Sequence, residues 1–321
     1  MKKVALALLF IILIAGTIFF LYIPLNIYNS EVFSSNLVID EDNNLLIAKE
    51  NKDIKILQLS DVQINNIVEM GYSLDIVKTT IKKANPDLIV LTGDNLNKDA
   101  TIWYLERFRD FMDSFEIPWA LVYGNHDYDA NISIETQNQM YESSKYGLFQ
   151  TGYIEGYNGN YYYNIKRGDE VVYTLIFMDS HQDGFINRHV VWYESTINKI
   201  TEENGKVIPS MMFFHIPIEN LKDAYDAYLI DPSIGSGNKY EDLNVQSTNS
   251  NIYSKIKKLG STKLIAYGHD HINSLMINYD DILFCYGLKT GRTSYYNRFL
   301  MGGVLYTIKT DNSLSYEKIY V

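Results

Sequence analysis

The stretch from residue 54 to residue 61 reads Ile54-Lys55-Ile56-Leu57-Gln58-Leu59-Ser60-Asp61, an apolar run of strand length that ends at a carboxylate. Four similar runs follow, and each ends at a residue able to bind a metal: residues 88–93 before Asp94, 119–124 before Asn125, 211–214 before His215 and 264–268 before His269. Near-continuous apolar runs are typical of strands buried on both faces of an α/β fold. These runs therefore predict five buried strands.

The polar residues at the ends of these runs are expected to share one edge of the molecule. Helical periodicity at residues 74–84 and 102–115 separates the first three runs. Asp61, Asp94 and Asn125 are spaced by 33 and 31 positions, which suits consecutive βαβ units of about 30 residues. Ligands in open α/β sheets collect outside the carboxyl ends of the strands, so the five residues should converge there.

The second half of the chain is richer in strand patterns. They predict strands at residues 161–165, 171–177, 274–278, 282–286, 304–308 and 316–321, and helices at 189–201, 219–229 and 251–259. We therefore expect an α/β fold of two packed, mixed β-sheets flanked by helices, in one domain over residues 52–321. Residues 231–250, rich in Gly, Ser and Asn, are expected to form a surface loop.

The N-terminus carries an apolar stretch of membrane-spanning length. After Lys2 and Lys3, residues 4–25 contain no charge and would form a helix about 33 Å long, against a hydrocarbon core of about 30 Å. The pattern predicts a signal anchor, one transmembrane helix at residues 1–25, with the rest of the chain extracytoplasmic at the cell membrane. Secretion after signal cleavage and a buried soluble helix are the alternatives. Residues 26–51 are predicted to be a stalk with a first weak strand.

Composition limits both the partners and the metal chemistry. The chain has 28 basic and 39 acidic side chains, a net charge of −11, which argues against a nucleic-acid partner. Its one cysteine, Cys285, excludes an internal disulfide and a metal site built of thiolates. Any metal must then be held by His, Asp, Glu, Asn or Gln.

The candidate ligands occur in groups. An Asp after a strand is more often a helix cap, and a lone His is more often structural. When such residues occur in groups, metal binding becomes the better interpretation. Residues two apart in an extended segment face the same way, so His269 and His271 can bind at one centre. The groups are Asp61-Val62-Gln63, Gly93-Asp94-Asn95, Gly124-Asn125-His126-Asp127, Phe214-His215 and Gly268-His269-Asp270-His271.

In this order the groups resemble the motifs of the calcineurin-like metallophosphoesterases: Asp-x-His, Gly-Asp, Gly-Asn-His-Asp/Glu, a lone His and Gly-His-x-His. The resemblance extends over residues 54–308, and residues 93–97, 213–217 and 268–273 look most like the branch related to purple acid phosphatases. It implies an α/β/β/α sandwich that binds two metal ions, Mn, Fe or Zn, and hydrolyses phosphate esters.

The resemblance also implies a role for each matching residue. Asp94 would bridge two metals, with a first site completed by Asp61, Gln63 and His271 and a second by Asn125, His215 and His269. The implied nucleophile is a hydroxide held by both metals, which also neutralise charge on the phosphoryl oxygens. His126 would face the substrate and stabilise the transition state or protonate the leaving alkoxide.

Two residues depart from the family pattern. Gln63 stands where the commonest residue is His, and an amide oxygen is a weaker ligand than imidazole for Mn, Fe or Zn. We interpret this as retuning of the first metal. Asn97 stands where purple acid phosphatases place the Tyr that colours their ferric site, so we expect no purple charge-transfer band.

Four further residues have open roles. Asp127 either orients His126 or caps the next helix. His181 lines the substrate cleft or lies in a surface loop, and Arg292 clamps a phosphate or is solvated. His189 is expected on the surface of a helix.

The sequence therefore predicts a membrane-anchored, binuclear metallophosphoesterase that acts on small phosphate esters. Two alternatives stay open. One is a non-catalytic metal-binding surface protein on the same scaffold, suggested by Gln63. The other is a nucleotidase or phosphodiesterase with the same centre.

Overall fold

The computed structural model describes residues 2–27, 33–49, 51–152, 154, 156–248 and 250–321, without the side chains of residues 2, 3 and 17–27. The helices are α1 (Lys2–Ile27), α2 (Ile67–Ala84), α3 (Ile102–Asp113), α4 (Asn125–Asp129), α5 (Ile134–Glu142), α6 (Asn187–Asn204), α7 (Leu221–Ile230) and α8 (Ile252–Leu259). The strands are β1 (Leu37–Asp40), β2 (Leu45–Ala48), β3 (Ile54–Leu59), β4 (Leu88–Thr92), β5 (Trp119–Val122), β6 (Tyr161–Arg167), β7 (Glu170–Phe177), β8 (Ser210–Phe213), β9 (Gly235–Ser236), β10 (Thr262–Tyr267), β11 (Met276–Tyr279), β12 (Ile282–Tyr286), β13 (Gly302–Ile308) and β14 (Leu314–Tyr320).

Within the described residues the strands form two mixed sheets. The larger has the order β1-β2-β6-β7-β8-β10-β12-β11-β9, and the smaller has the order β14-β13-β3-β4-β5. Strands β3, β4 and β5 are parallel, as are β7, β8, β10 and β12. The predicted two-sheet α/β fold is confirmed, and the five apolar runs are β3, β4, β5, β8 and β10.

Alternate residues of the central strands serve two cores. In β8, Met211 and Phe213 pack into the cluster that contains the small sheet. Met212 and the following Phe214 face the opposite way and pack into a second cluster with residues of α6 and α8. Burial on both faces explains why these strands read as continuous apolar runs. Because parallel strands of both sheets end at the same side, the residues that follow them meet.

In the described part of the first fifty residues, helix α1 is followed by a strand pair. The segment predicted to hold a weak strand forms β1 and β2, which pair antiparallel, and β2 runs parallel to β6 at the edge of the larger sheet. Residues 28–32 and 50 of this predicted stalk lie outside the described residues, as do the side chains of residues 17–25 of the predicted transmembrane helix. In the described part of the chain, no helical segment combines the length and the hydropathy that a membrane crossing requires.

Candidate metal centre

The predicted ligands converge where the central strands end. Asp61 and Asp94 follow β3 and β4, while His215 and His269 lie shortly after β8 and β10. Three contacts join them, and the first two cross from one sheet to the other. Asp94 Oδ1 lies 3.3 Å from His215 Nε2, Asp61 Oδ1 lies 3.3 Å from His271 Nε2, and His215 Nε2 lies 3.3 Å from His269 Nδ1. The expected convergence is therefore observed.

The backbone turns sharply at these positions. Asp61, Gln63, Asp94 and His269 have φ values of 55°, 49°, 53° and 76°, in the left-handed region that non-glycine residues seldom adopt. Hydrogen bonds hold the turns, since Gln63 N donates to Asp94 O at 2.8 Å. Such conformations cost free energy and cluster at functional sites, where the surrounding structure maintains them.

Glycines let the loops approach each other. A Cβ atom on Gly93 would lie 2.6 Å from His215 Nδ1, and one on Gly124 would overlap the Asp94 carboxylate. A Cβ atom on Gly268 would lie 2.6 Å from Asp61 Oδ2. The glycines that precede Asp94, Asn125 and His269 in the sequence therefore make room for ligands from other loops.

The Asp94 carboxylate lies between two sets of donor atoms. Its Oδ1 accepts a hydrogen bond from His126 N at 2.9 Å and faces His215 Nε2. Its Oδ2 accepts from Gln63 Nε2 at 3.2 Å. The two oxygens thus face different sides of the centre, which is the arrangement that a bridging carboxylate needs.

The first set of donors contains Asp61 and His271. Asp61 Oδ2 accepts hydrogen bonds from Ser60 Oγ at 2.6 Å and His269 N at 3.2 Å, whereas the buried Oδ1 has no hydrogen-bond partner. His271 Nδ1 lies 3.0 Å from Tyr295 O, which leaves Nε2 for the centre. Ligand atoms of Asp61, Asp94 and His271 all lie within 4.8 Å of one another, close enough to hold a metal ion.

The second set contains Asn125, His215 and His269. Asn125 Oδ1 is buried without a hydrogen-bond partner. His215 Nδ1 lies 2.8 Å from Thr92 O, so its Nε2 faces Asp94 and His269. Buried polar atoms normally have partners, and the unpartnered oxygens of Asn125 and Asp61 therefore fit metal ligation. The donor set is of oxygen and nitrogen only, which suits the predicted Mn, Fe or Zn.

The electrostatics of the centre favour cations. Burial opposes the charged form of His215, but the adjacent Asp94 carboxylate outweighs it and raises the pKa of His215 to about 10. Burial and the neighbouring His215 lower the pKa of His269 to about 4. Burial of Asp61 is outweighed by His271 and His215, which hold the pKa of Asp61 well below its usual range. Without a metal, a proton on His215 supplies part of the positive charge that the carboxylates of the centre favour.

The affinity of the centre for metal is expected to depend on pH. A ligating imidazole must be neutral, and the pKa of His215 without metal is about 10, so a metal ion must displace a proton at pH 7. The affinity should rise about tenfold per pH unit between pH 7 and pH 9 and level off near pH 10. Calorimetry in buffers of different ionisation enthalpy measures the released proton. An affinity independent of pH over this range would contradict the assignment of His215.

His126 lies at the mouth of the centre, beside Asp129. Its ring is 40% exposed, and its Nδ1 lies 3.1 Å from Asp129 Oδ2. Asp127 is fully buried and accepts hydrogen bonds from the backbone N–H groups of Asn95, Leu96 and Gly124 at 2.8–3.0 Å. Of the two roles left open for Asp127, these bonds fit the helix cap, here of α4, whereas Asp129 is the carboxylate beside His126.

Lys289 is a residue of the centre that the sequence interpretation missed. Its side chain is buried, and its Nζ donates to Gln63 Oε1 at 2.8 Å and to Asp61 O at 3.1 Å. Burial lowers the pKa of Lys289 to about 8. A signal was present, since Lys289 follows β12, a further parallel strand that ends on the same side.

The two candidate substrate residues take different positions. His181 is half-buried, has a φ of 49°, and its ring lies 4.2 Å from that of Tyr128. Its neighbour Gln182 contacts Asp129, the residue beside His126, at 3.5 Å. Arg292 instead stacks between the rings of Tyr72 and Tyr296, at 5.0 and 5.7 Å. His181 therefore lies on the same side of the centre as His126, through Gln182 and Asp129. Arg292 packs against aromatic side chains.

Comparison with known sequences identifies the family. The profile of the calcineurin-like phosphoesterases matches residues 54–273, more than half of the chain, and the chain belongs to this family. The probable inactive purple acid phosphatase 29 of Arabidopsis thaliana is 26% identical over 293 residues, 76% of this chain and 74% of that protein. Phosphatase DCR2 of Saccharomyces cerevisiae is 27% identical over 239 residues, 66% of this chain and 41% of that protein. The relationship to purple acid phosphatases is confirmed.

Solved structures share the fold. A dimetal phosphatase from Danio rerio superposes with a TM-score of 0.52 at 12% identity, over 83% of this chain and 99% of that one. The protein GAP50, the anchor in the inner membrane complex of Plasmodium, has a TM-score of 0.52 at 12% identity over 84% of this chain and 89% of that one. At such low identity the likeness shows a common fold alone.

Proposed function

We propose that the chain is a metal-dependent phosphoesterase that hydrolyses small phosphate esters. The observation that carries this proposal is the Asp94 carboxylate between two sets of buried donors, with unpartnered oxygens on Asp61 and Asn125. Metal ions bound in such a centre activate water and neutralise charge on phosphoryl oxygens. The binuclear form implied by the family resemblance is part of the proposal.

In this proposal the leaving group is assisted by His126. Asp129 holds His126 Nδ1 at 3.1 Å, so that Nε2 is the atom that gives a proton to the departing oxygen. The backbone N–H of His126 also donates to Asp94 Oδ1, which fixes the position of the histidine relative to the centre. His181 and Tyr128 form an aromatic wall on the same side and would contact the organic part of the ester.

The charge of the protein favours a small substrate over a polymer. With a net charge of −11, the chain opposes the close approach of many phosphates, so we propose no nucleic-acid partner. A single phosphate needs positive charge only locally, and the metal centre supplies it. A nucleotide is compatible with these requirements, as are monoesters and diesters generally.

We propose a location at the cell membrane, with the catalytic domain outside the cytoplasm. The support is the uncharged sequence of residues 4–25 and the exposure of helix α1, where the large apolar residues from Val4 to Ile14 are 45–71% exposed. Exposed apolar side chains are suited to lipid. Secretion after cleavage of this segment is the alternative.

A non-catalytic metal-binding protein is the second candidate. Two observations favour it: Gln63 replaces the histidine usual in the family, and the Arabidopsis thaliana relative is named a probable inactive phosphatase. It would share the donor set and differ in turnover. Metal content and turnover, measured on one sample, separate the two candidates.

The proposal predicts metal-dependent phosphate release. The full chain, purified in a mild detergent and stripped with a chelator, should be inactive and regain turnover with Mn²⁺, Fe²⁺ or Zn²⁺. Phosphate release and aryl-alcohol release from a panel of monoesters and diesters measure it. A chain that binds metal tightly but turns over none of these esters would favour the non-catalytic candidate.

A further inference from the structure

The amide of Gln63 does not present its oxygen to the metal centre. Its Nε2 donates to Asp94 Oδ2 at 3.2 Å, and its Oε1 accepts from Lys289 Nζ at 2.8 Å. All three side chains are buried. The metal-binding atom of a glutamine is its oxygen, because the amide nitrogen has no lone pair available for a cation. The oxygen is therefore paired with an ammonium group.

Lys289 fixes this orientation of the amide. If the amide were reversed, its NH2 group would lie 2.8 Å from the Lys289 ammonium, donor against donor. Its oxygen would then lie 3.2 Å from the Asp94 carboxylate, acceptor against acceptor. Lys289 is itself held by a second bond, to Asp61 O at 3.1 Å. Both contacts are buried, so water offers no substitute for them.

The orientation of the Gln63 amide removes a ligand atom from the first set of donors and leaves the second set unchanged. Without Gln63 Oε1, the chain offers that side Asp61, His271 and one oxygen of Asp94, the three residues whose ligand atoms lie within 4.8 Å. The second side keeps Asn125, His215 and His269 with the other Asp94 oxygen. The buried positive charge of Lys289 also lies next to the first side and opposes a second cation there.

We propose that Lys289 is a positioning residue that turns Gln63 away from the first metal, giving the centre one tight and one weak metal site. This inference rests on the proposed function, since it concerns the metals of that centre. It changes the expectation that Gln63 is a ligand. The weak site would fill only at higher free metal concentrations, so that turnover depends on metal supply.

The test is a metal titration that does not depend on turnover. Isothermal calorimetry with Mn²⁺ on the stripped full chain, with bound metal checked by mass spectrometry, should show one tight equivalent and a second at least tenfold weaker. In Lys289→Met the second equivalent should bind at least tenfold more tightly. Asp61→Ala should remove the weak equivalent and keep the tight one, which identifies the weak site as the first.

Two further variants separate the inference from its alternatives. Gln63→Ala should change the affinity of the weak site less than threefold, whereas loss of a true ligand would weaken it at least tenfold. Lys318→Met is the matched control, because it removes a half-buried lysine of β14 near Cys285 and should leave both affinities unchanged. If Lys289→Met does not fold, Lys289→Gln removes the charge and keeps a hydrogen-bond donor.

The outcomes distinguish this inference from the proposed function. Two equally tight equivalents in the unmodified chain would overturn the inference and leave the proposed function standing. A tenfold loss of metal affinity at the weak site in Gln63→Ala would also overturn the inference. So would an unchanged affinity of this site in both Lys289 variants. If neither the unmodified chain nor any variant binds metal, the proposed function itself fails.

Discussion

Replacement of Asp94 by alanine is expected to abolish hydrolysis of phosphate esters. Asp94 faces both sets of donors, through Oδ1 beside His215 and Oδ2 beside Gln63. In the proposed binuclear centre, its loss would remove a charged ligand from each metal. We expect turnover to fall about a thousandfold or more, equivalent to roughly 4 kcal/mol of transition-state stabilisation. Phosphate release at saturating Mn²⁺ and the metal content of the same sample measure the effect.

Two controls distinguish a lost ligand from a damaged fold. Asp94→Asn keeps an oxygen for the His126 N–H but replaces the carboxylate that faces both sets of donors by a neutral amide, a weaker ligand, so it should also lose metal. Asp110→Ala on α3 removes a partly exposed carboxylate paired with Arg109 and should leave turnover unchanged. Asp94→Ala with more than a tenth of the original activity and a full metal content would contradict the assignment of the centre.

The position of the centre was predictable because strand burial and strand ends leave strong traces in a sequence. The continuous apolar runs at β3, β4 and β5 follow from burial on both faces. Parallel pairing then forces the residues after these strands to one side. The glycines before Asp94 and His269 also indicate the centre, because neighbouring loops can approach each other only where these residues have no side chain.

The contacts between side chains of distant loops were not predictable in this way. Lys289 is 226 positions from Gln63, and its position after β12 indicates the side of the sheet on which it lies but not that its side chain turns inward to Gln63. The contact of Asp129 with His126 has a local reason, although Asp127 is nearer in sequence. Asp129 follows His126 by three positions, and since α4 turns its side chains about 100° per residue, residues three apart share a face whereas adjacent residues do not.

One local prediction was wrong and another was incomplete for reasons of tertiary packing. His189 was expected on the surface of a helix, but it lies in the first turn of α6, is fully buried, and packs 4.6 Å from the ring of Tyr157. Burial lowers the pKa of His189 to about 4, so it is neutral at ordinary pH. The segment 231–250, expected as a surface loop, places Gln246 in the interior, where it bonds to Ile216 O at 2.8 Å.

The second large effect is expected at His126 and depends on the leaving group. His126→Ala should lower turnover of an alkyl phosphate by a factor of about 10²–10⁴, the usual contribution of a general acid. For an activated aryl phosphate the loss should be much smaller, because a phenolate with electron-withdrawing groups departs without a proton. Metal content should be unchanged, since the His126 ring contacts Asp129 and only its backbone N–H contacts Asp94.

The dependence on leaving group is the decisive part of this prediction. If His126 acts only by stabilising charge on the phosphoryl oxygens, its loss should slow alkyl and aryl esters by the same factor. Asp129→Asn supplies the intermediate case, because it keeps a partner for His126 Nδ1 and replaces the carboxylate that lies 3.1 Å from it by a neutral amide. Its effect should have the same preference for alkyl esters and be smaller. Equal losses on both ester types would therefore assign His126 to charge stabilisation and leave the proton to solvent.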